Sequence, residues 1–146
     1  MYQIKEGLSF QISLTTRVME RHFERLLAPH GLTRLMWCIL VMAGHYRITK
    51  PSQMADHICV DRTAISRVLR SMELAGLIAR EKSKSDGRGR DVVLTGHGST
   101  KLEALLPDAR DCARHFDEKL AGDEPELLKR LLGKLTEGEP VTFSEF

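Results

Sequence analysis

The sequence predicts a mainly α-helical fold that contains one small β-hairpin. Apolar residues recur at helical spacing over most of the 146-residue chain. Two short strand-like runs, Leu77–Glu81 and Asp91–Leu94, flank a polar loop with Gly87 and Gly89, and glycine permits the positive φ angles of a tight hairpin tip. The length is sufficient for one domain with a hydrophobic core, and 42% hydrophobic with 29% charged residues is typical of a globular protein.

The N-terminal part of the chain predicts two helices. Residues 4–28 show near-helical apolar spacing, and Pro29 ends that run because proline lacks the N–H that a helix interior needs. Thr33 is expected to cap a second helix, Arg34–Ala43, which Gly44 closes. Few polar positions interrupt this second helix, so we expect it to lie at the centre of the core.

Two short helices and the hairpin occupy the middle of the chain. Arg47–Lys50 is interpreted as a short strand added to the hairpin, and Ser52–Ile58 as a helix that follows Pro51. Asp61 is expected to cap a longer amphipathic helix that Gly76 stops. Two helices joined by so short a link and followed by a hairpin form a winged helix-turn-helix over about residues 47–95.

Helical spacing returns after Thr95. We expect a kink or a break at Pro107, because proline removes a helix hydrogen bond. A further helix is expected to begin at Asp123, where acidic residues suit the positive end of the helix dipole. The tail, Gly138–Phe146, is expected to be irregular.

The net charge of +2 conceals an uneven distribution. Residues 31–95 hold eleven Lys and Arg against six Asp and Glu, whereas residues 96–146 hold seven against eleven. A local basic excess favours nucleic acid, because guanidinium groups bind phosphates and guanine edges and hydroxyls supply smaller contacts. The candidate DNA contacts on the middle helices and the hairpin are Ser52, Gln53, Arg62, Thr63, Ser66, Arg67, Arg70, Lys82, Lys84, Arg88 and Arg90.

The terminal helices, about residues 4–28 and 98–137, carry more apolar surface than one small core can cover. Exposed stripes of that size are a liability on a monomer, so we expect a second copy of the chain to cover them. A two-fold dimer of this kind places two recognition helices about 34 Å apart, which is one turn of duplex DNA.

Other functional classes receive less support from the sequence. Three scattered cysteines, Cys38, Cys59 and Cys112, form no CxxC pair, which argues against a disulfide framework and fits a reducing cytosol. Two alternatives stay open: a redox-sensing regulator that uses a cysteine thiol, with Cys59 in the interhelical turn as the more reactive candidate, and a ligand-independent architectural DNA-binding protein. No enzyme motif or cofactor motif is present, and no apolar run approaches the roughly 18 residues of a membrane span. Asp111, His115 and Glu118 could share one helix face at metal-ligand spacing, but such residues usually lie on a charged helix surface, and no CxxC or HxxxH motif supports a metal site.

Three motifs occur in order along the chain. GLT at 31–33 precedes an apolar helix with Trp37, the run DRTAISRVLRSMELAGLI follows at 61–78, and the hairpin carries DGR at 86–88 and LTGHG at 94–98. Together they resemble the multiple-antibiotic-resistance regulator (MarR) family of bacterial transcription factors, whose hairpin has a D-x-R…L-T-x-x-G signature. The resemblance covers nearly the whole chain and implies a single MarR-like domain over residues 1–146.

The resemblance also implies a function. It implies a homodimeric transcriptional regulator, usually a repressor, that binds a palindromic operator in double-stranded DNA of the bacterial cytoplasm and nucleoid. By analogy, Arg88 enters the minor groove with Asp86 orienting it, and Arg62, Thr63, Ser66 and Arg67 face the major groove. Members of the family often take a phenolic or other aromatic ligand in a cleft beside the DNA-binding part. The candidates for lining such a pocket are Met36, Trp37, His45 and Tyr46, with ordinary core packing as the alternative.

Overall fold

The structure, a computed structural model, describes residues 3–85 and 87–146 and consists of helices around one short hairpin. The two strands of the hairpin pair antiparallel, with Ile78 opposite Leu94 and Lys82 opposite Arg90. The predicted fold class, mainly α with a small β-wing, is therefore confirmed. In chain order the helices and strands are α1 (Leu8–Leu27), α2 (Arg34–Gly44), α3 (Pro51–His57), α4 (Arg62–Leu74), β1 (Ile78–Lys82), β2 (Arg90–Leu94), α5 (Gly96–Asp117) and α6 (Glu124–Thr136).

The predicted N-terminal helix is divided into three segments. A 3₁₀ turn, Ile4–Glu6, comes first, and α1 begins only after Gly7, whose extended backbone (φ −66°, ψ 134°) separates the two. A second 3₁₀ turn, Ala28–His30, has Pro29 in its first positions. The N–H groups there have no acceptor within the helix, so proline, which lacks an N–H, loses no hydrogen bond. Gly31 then turns the chain towards α2 with a φ of 68°.

α2 is the central helix of the core, as its sequence predicts. Thr33 Oγ1 accepts the Met36 N–H at 3.2 Å and so caps the helix. Most of its side chains are buried, and Ile39 and Leu40 have no exposed surface. Because α2 packs against α1, α4, α5 and β2, it connects the terminal helices with the middle of the chain.

α3 and α4 form the predicted helix-turn-helix. Asp61 Oδ1 accepts the Ala64 N–H at 2.7 Å, which confirms Asp61 as the N-cap of α4. Gly76 ends the unit with a φ of 71°, in the left-handed region that glycine adopts without strain. In the turn between the helices, Cys59 has a φ of 60° although it carries a Cβ atom, so its backbone is strained.

The expected strand Arg47–Lys50 is wrong. Arg47 has a φ of 59°, which is far from extended backbone, and the segment is joined to β2 through the Val92 N–H, which donates to the Thr49 carbonyl at 2.8 Å. A ladder needs repeated bonds between two extended segments, and the left-handed residue prevents that repeat here. In the described part of the chain the sheet has two strands.

The hairpin is attached to the start of α5 through Thr95. Its Oγ1 donates to the Gly76 carbonyl at 2.5 Å and accepts the Gly98 N–H at 3.0 Å, while its own N–H donates to the Leu77 carbonyl at 3.1 Å. A Cβ atom on Gly98 would lie well inside 3.0 Å of the Leu77 carbonyl oxygen, so only glycine fits at this crossing. The T-x-x-G part of the hairpin motif therefore fixes the hairpin to α5.

The expected break at Pro107 does not occur, because α5 continues from Gly96 to Asp117. Proline removes the N–H that would bond to the carbonyl of Glu103. Both residues are exposed, so water can satisfy that carbonyl. The neighbouring side chains of Leu102 and Leu105 are buried and hold this part of the helix to the core.

α6 extends from the compact part of the molecule. None of its side chains is buried. The tail that follows has no helix and is irregular, as expected, apart from one parallel bridge between Phe143 and Val60.

Within the described residues, no single helix has both the length and the apolar character needed to cross a bilayer. A bent pair, residues 8–30 with α2, passes that test by length and composition across a 77° bend.

Candidate nucleic-acid interface and adjoining cleft

The two faces of α4 differ sharply in burial. Ile65, Leu69 and Met72 are fully buried, and Val68 is half-buried against the core, which confirms the predicted apolar face. The opposite face exposes cationic and hydroxyl side chains in the order that the sequence analysis predicts. The exposed residues are Arg62, Thr63, Ser66, Arg67 and Arg70.

The start of α4 exposes polar side chains beside the Asp61 cap. Its first N–H groups and its dipole point towards the end at which Arg62 and Thr63 are exposed. On α3, which precedes it, Gln53 is exposed and Ser52 is half-buried. The buried side chains Met54 and Ala55 hold α3 to the core, so both helices present their polar residues from a fixed support.

The hairpin forms a second cationic element. Its loop closes through the Ser83 N–H, which donates to the Gly89 carbonyl at 3.3 Å. Gly87 and Gly89 have φ values of 66° and 73°, which confirms that the tip uses left-handed backbone. Asp86 lies outside the described residues. The four basic residues predicted here, Lys82, Lys84, Arg88 and Arg90, are all exposed.

Arg80 is a cationic residue of the hairpin that the sequence analysis did not select. It lies on β1 opposite Val92 and is half-buried. Its Nε atom is buried and has no hydrogen-bond partner among the described residues. The sequence marks Arg80 only as one Arg in a strand of alternating polarity. Many solvent-facing strand positions look the same, so this pattern does not single out a functional residue.

A largely apolar cleft lies between α1, α2 and α5. Its volume is about 410 Å³, which suits a small ring compound. Aromatic and thioether or thiol side chains form most of its wall, and His22 stacks on His115 at its edge with ring centroids 4.6 Å apart. The lining residues are Met19, Glu20, His22, Phe23, Arg34, Trp37, Cys38, Ala109, Cys112, Ala113, Phe116 and Phe146.

Arg34 is the cationic group of this cleft. Its Nη1 lies 2.9 Å from Glu20 Oε1, and its Nε lies 3.1 Å from Glu24 Oε1. The side chain is only 19% exposed, so these carboxylates hold it in a partly desolvated position. Among the described residues Nη2 of the guanidinium has no hydrogen-bond partner, so it can donate to an acceptor on a bound molecule.

The two cysteines of the cleft have raised pKa values. Burial raises the pKa of the Cys38 thiol to about 11, and the nearby Arg34 lowers it by less. Burial also raises the pKa of Cys112, and the negative charges of Asp108 and Asp111 add to the effect. Both thiols therefore stay protonated at neutral pH, which makes them poor nucleophiles.

The structure brings one of the four predicted pocket residues to this cleft. Trp37 lines it, with its ring edge-on to Phe23 at a centroid distance of 6.1 Å. Met36 is half-buried and packs against the core from another side of α2. His45 and Tyr46 are exposed just beyond the C-terminal end of α2, with their ring centroids 5.5 Å apart.

No motif in the sequence points to the other cleft residues. Arg34, Cys112 and Phe146 come from separate parts of the chain, and the spacing between them carries no periodic signal. Among the described residues, no group of three or more His, Cys, Asp or Glu side chains is placed to hold a metal ion.

The helix-turn-helix, its exposed cationic helix face and the basic hairpin together define a winged-helix DNA-binding protein. A family model described as the MarR family matches residues 32–89. The HTH-type transcriptional repressor Rv2887 of Mycobacterium tuberculosis is 32% identical over 123 residues, which cover 81% of this chain and 85% of that protein. The chain belongs to the MarR family of transcriptional regulators.

Further relatives and solved structures agree with this assignment. The regulator MgrA of Staphylococcus aureus is 27% identical over 135 residues, covering 92% of this chain and 90% of that protein. The crystal structure of AbsC, a MarR family regulator from Streptomyces coelicolor, superposes with a TM-score of 0.79 at 28% identity, covering 94% and 95% of the two chains. A complex of Rv2887 with p-aminosalicylic acid superposes with a TM-score of 0.63 at 26% identity, covering 90% of this chain and 99% of that one.

Proposed function

We propose that this regulator is a homodimeric repressor that binds a palindromic operator in bacterial nucleoid DNA, in the cytoplasm, and is released by a small aromatic acid. The observation that carries the DNA-binding part is the placement of five exposed polar residues, Arg62 to Arg70, on a helix whose other face packs against the core. A rigid helix with cationic and hydroxyl groups on one face suits base edges in a major groove. The exposed cations of the hairpin suit the neighbouring backbone or minor groove.

Exposed apolar side chains on the terminal helices support the dimer. On α6, Leu127, Leu128, Leu131, Leu132 and Leu135 are each 39–50% exposed. On the N-terminal side, Leu8, Leu14, Val18 and Met19 of α1 are 41–59% exposed. A second copy that covers such stripes gains favourable free energy, because both partners then remove apolar surface from water.

Charge complementarity agrees with this arrangement. A groove of about 470 Å³ beside α1 is lined by the cations Arg21, Arg25 and Lys119, by two histidines and one threonine and by apolar side chains, and no carboxylate is among its described lining residues. α6 begins with the acidic residues Glu124 and Glu126 next to its leucine stripe. The acidic and apolar α6 of one copy therefore suits the basic and apolar groove of the other.

The cleft supports the ligand part of the proposal. An aromatic ring fits between Phe23, Trp37 and Phe116, and a carboxylate fits the remaining donor group of Arg34. Rv2887, which is similar to this chain, has been crystallised with salicylic acid and with p-aminosalicylic acid. The raised pKa values of Cys38 and Cys112 keep both cleft thiols protonated and slow to react with an oxidant, so a bound ligand is the signal that the cleft itself favours.

Selection of bound duplexes from a random DNA pool tests the DNA-binding function. We expect a palindromic consensus whose half-sites are about one helical turn apart. With that duplex and a scrambled one at physiological salt, Arg67→Ala should lower affinity for the operator by at least about tenfold and should lower the operator preference as well. Arg110→Ala, which removes an exposed arginine on α5, is the matched control and should change neither.

Two results would contradict the proposal. The first is a selected pool without any consensus, which would favour a ligand-independent architectural protein. The second is an equal loss of affinity for operator and scrambled DNA in Arg67→Ala, which would assign this residue to phosphate rather than to base edges.

A further inference from the structure

The tail of the chain returns to the turn of the helix-turn-helix. The Phe143 N–H donates to the Cys59 carbonyl at 3.0 Å, and the Asp61 N–H donates to the Phe143 carbonyl at 2.8 Å. These two bonds make Phe143 the parallel bridge partner of Val60. Residues 141–146, which we name the strap, are therefore fixed to the turn by backbone bonds on both sides of one residue.

The other end of the strap reaches the cleft. The Phe146 ring centroid lies 5.2 Å from the guanidinium carbon of Arg34, within the range of a cation–π interaction. Phe146 also lines the cleft that holds Trp37. Phe146 of the chain itself thus occupies the position beside Arg34 that the proposed ligand would occupy.

Between its two ends, the strap borders α4. Ser144 and Phe146 line a second cavity of about 390 Å³ together with Ala64, Arg67 and Val68 of that helix. The segment therefore forms a continuous physical connection of six residues from the cleft to the helix that carries the DNA contacts.

The strap bonds lie at two sensitive positions of the turn. Asp61 is the residue whose side chain caps α4, so the bond to its N–H fixes the start of that helix. Cys59 is a non-glycine residue with a φ of 60°, and such a conformation persists only where its surroundings hold it. Loss of the bond to the Cys59 carbonyl removes part of that support.

We propose that the strap is a built-in competitor for the cleft, which couples ligand binding to the position of α4. An aromatic acid that enters beside Arg34 displaces Phe146, releases the bonds at Cys59 and Asp61, and loosens the start of α4. This inference rests on the proposed function, because it assigns the ligand response of that cleft to a particular segment. The coupling is reciprocal, so DNA that favours the strapped form lowers ligand affinity.

Amide hydrogen exchange of Asp61 tests the strap without any ligand or DNA. We expect its amide to be protected in the wild-type protein and to exchange at least about tenfold faster in Phe143→Pro, which removes the donor to Cys59. Phe143→Ala keeps both backbone groups and loses only a side chain that is 57% exposed, so it is the matched control and should keep the protection. Val141→Pro introduces a proline at a position with no backbone bond to the turn and controls for proline itself.

Titration calorimetry with salicylate tests the competition. Phe146→Ala should bind salicylate about two- to fivefold more tightly than the wild type, because the ligand no longer displaces a ring from Arg34. Phe146→Leu fills space without a cation–π contact and should fall between the two proteins. Added salicylate should also accelerate exchange of the Asp61 amide in the wild type.

Each negative outcome has a distinct meaning. An unprotected Asp61 amide in the wild type, or equal exchange in Phe143→Pro and Phe143→Ala, overturns the strap whether or not salicylate binds. Equal salicylate affinity in the wild type and Phe146→Ala overturns the competition and leaves the proposed function intact. If neither protein binds salicylate, the competition and the ligand part of the proposed function both fail, while selection of a palindrome still establishes DNA binding.

Discussion

Replacement of Gly98 by alanine should detach the hairpin from α5. The added Cβ atom would lie well inside 3.0 Å of the Leu77 carbonyl oxygen and 3.0 Å from the Leu77 carbonyl carbon, whereas ordinary contacts lie at 3.4–4 Å. The obstacle is backbone that also accepts the Thr95 N–H, so relief requires movement of β1 or α5. We expect a loss of about 3 kcal/mol in the free energy of unfolding, even though alanine favours helix more than glycine.

Two other glycines provide graded controls. A Cβ atom on Gly96 meets nothing within 4 Å, so Gly96→Ala should change stability by no more than about 0.5 kcal/mol. A Cβ atom on Gly44 would lie 2.5 Å from a Leu102 methyl and 2.7 Å from a Leu94 methyl, and both methyls are flexible side-chain ends. Gly44→Ala should therefore cost about 1 kcal/mol, between the other two substitutions.

Urea unfolding, followed by the fluorescence of Trp37, measures these differences. With a slope of about 2 kcal/mol/M, the midpoint of Gly98→Ala should fall by about 1.5 M. The protomer concentration must be equal in all samples, because unfolding of a dimer depends on it. Equal midpoints for Gly98→Ala and Gly96→Ala would refute the argument that the Leu77 carbonyl leaves no room for a side chain.

Three further predictions address DNA binding, assembly and the cleft. Arg88→Ala should weaken operator binding and reduce the slope of log affinity against log salt by about one unit, measured by fluorescence anisotropy; an unchanged slope and affinity would exclude the hairpin from the interface. Leu131→Asp should convert a dimer to a monomer in sedimentation at micromolar concentration, because a charge replaces part of the α6 stripe; an unchanged sedimentation coefficient would place the interface elsewhere. Cys38 should react slowly with iodoacetamide at neutral pH, and the rate should rise about tenfold per pH unit up to about pH 11, because its thiolate is scarce below the raised pKa. A rate that is already maximal near pH 8 would contradict the burial of this thiol.

The two elements that the proposed ligand response would couple, α4 and the strap, are held by contacts that differ in strength. The apolar face of α4 is held by the fully buried side chains of Ile65, Leu69 and Met72, whereas the strap is attached by two backbone bonds and one ring contact. Elements with few buried contacts open at lower free energy than the core. A segment of this kind can therefore respond to a ligand while the fold itself persists.

Features that depend on neighbouring residues were predictable from the sequence. The caps at Thr33 and Asp61 are confirmed, because a cap needs only a hydroxyl or carboxylate next to a helix start. The glycine tip of the hairpin and the exposed cationic face of α4 follow from the same local rules of turn conformation and helical periodicity. The family signature itself is local, since Thr95 and Gly98 act within one turn of each other.

Predictions that needed tertiary context were less successful. Pro107 was expected to kink or break α5, but the helix continues past it, since buried leucines in the preceding turn hold the helix against the core and the affected carbonyl faces solvent. Arg47–Lys50 was expected to pair as a strand, but the left-handed backbone of Arg47 limits the pairing. In both cases a propensity was outweighed by packing or backbone geometry that the local sequence does not encode.

The sequence by itself determined the fold class, the helix boundaries within a few residues and the exposed cationic face of α4 with its basic hairpin, because periodicity, caps and turn residues act over a few positions. Only the tertiary structure decided which residues line the cleft, that Arg34 lies between Glu20 and Phe146, and that the tail returns to the turn at Cys59. Those contacts join residues far apart in the chain, so they exist only after the helices and the tail have packed together.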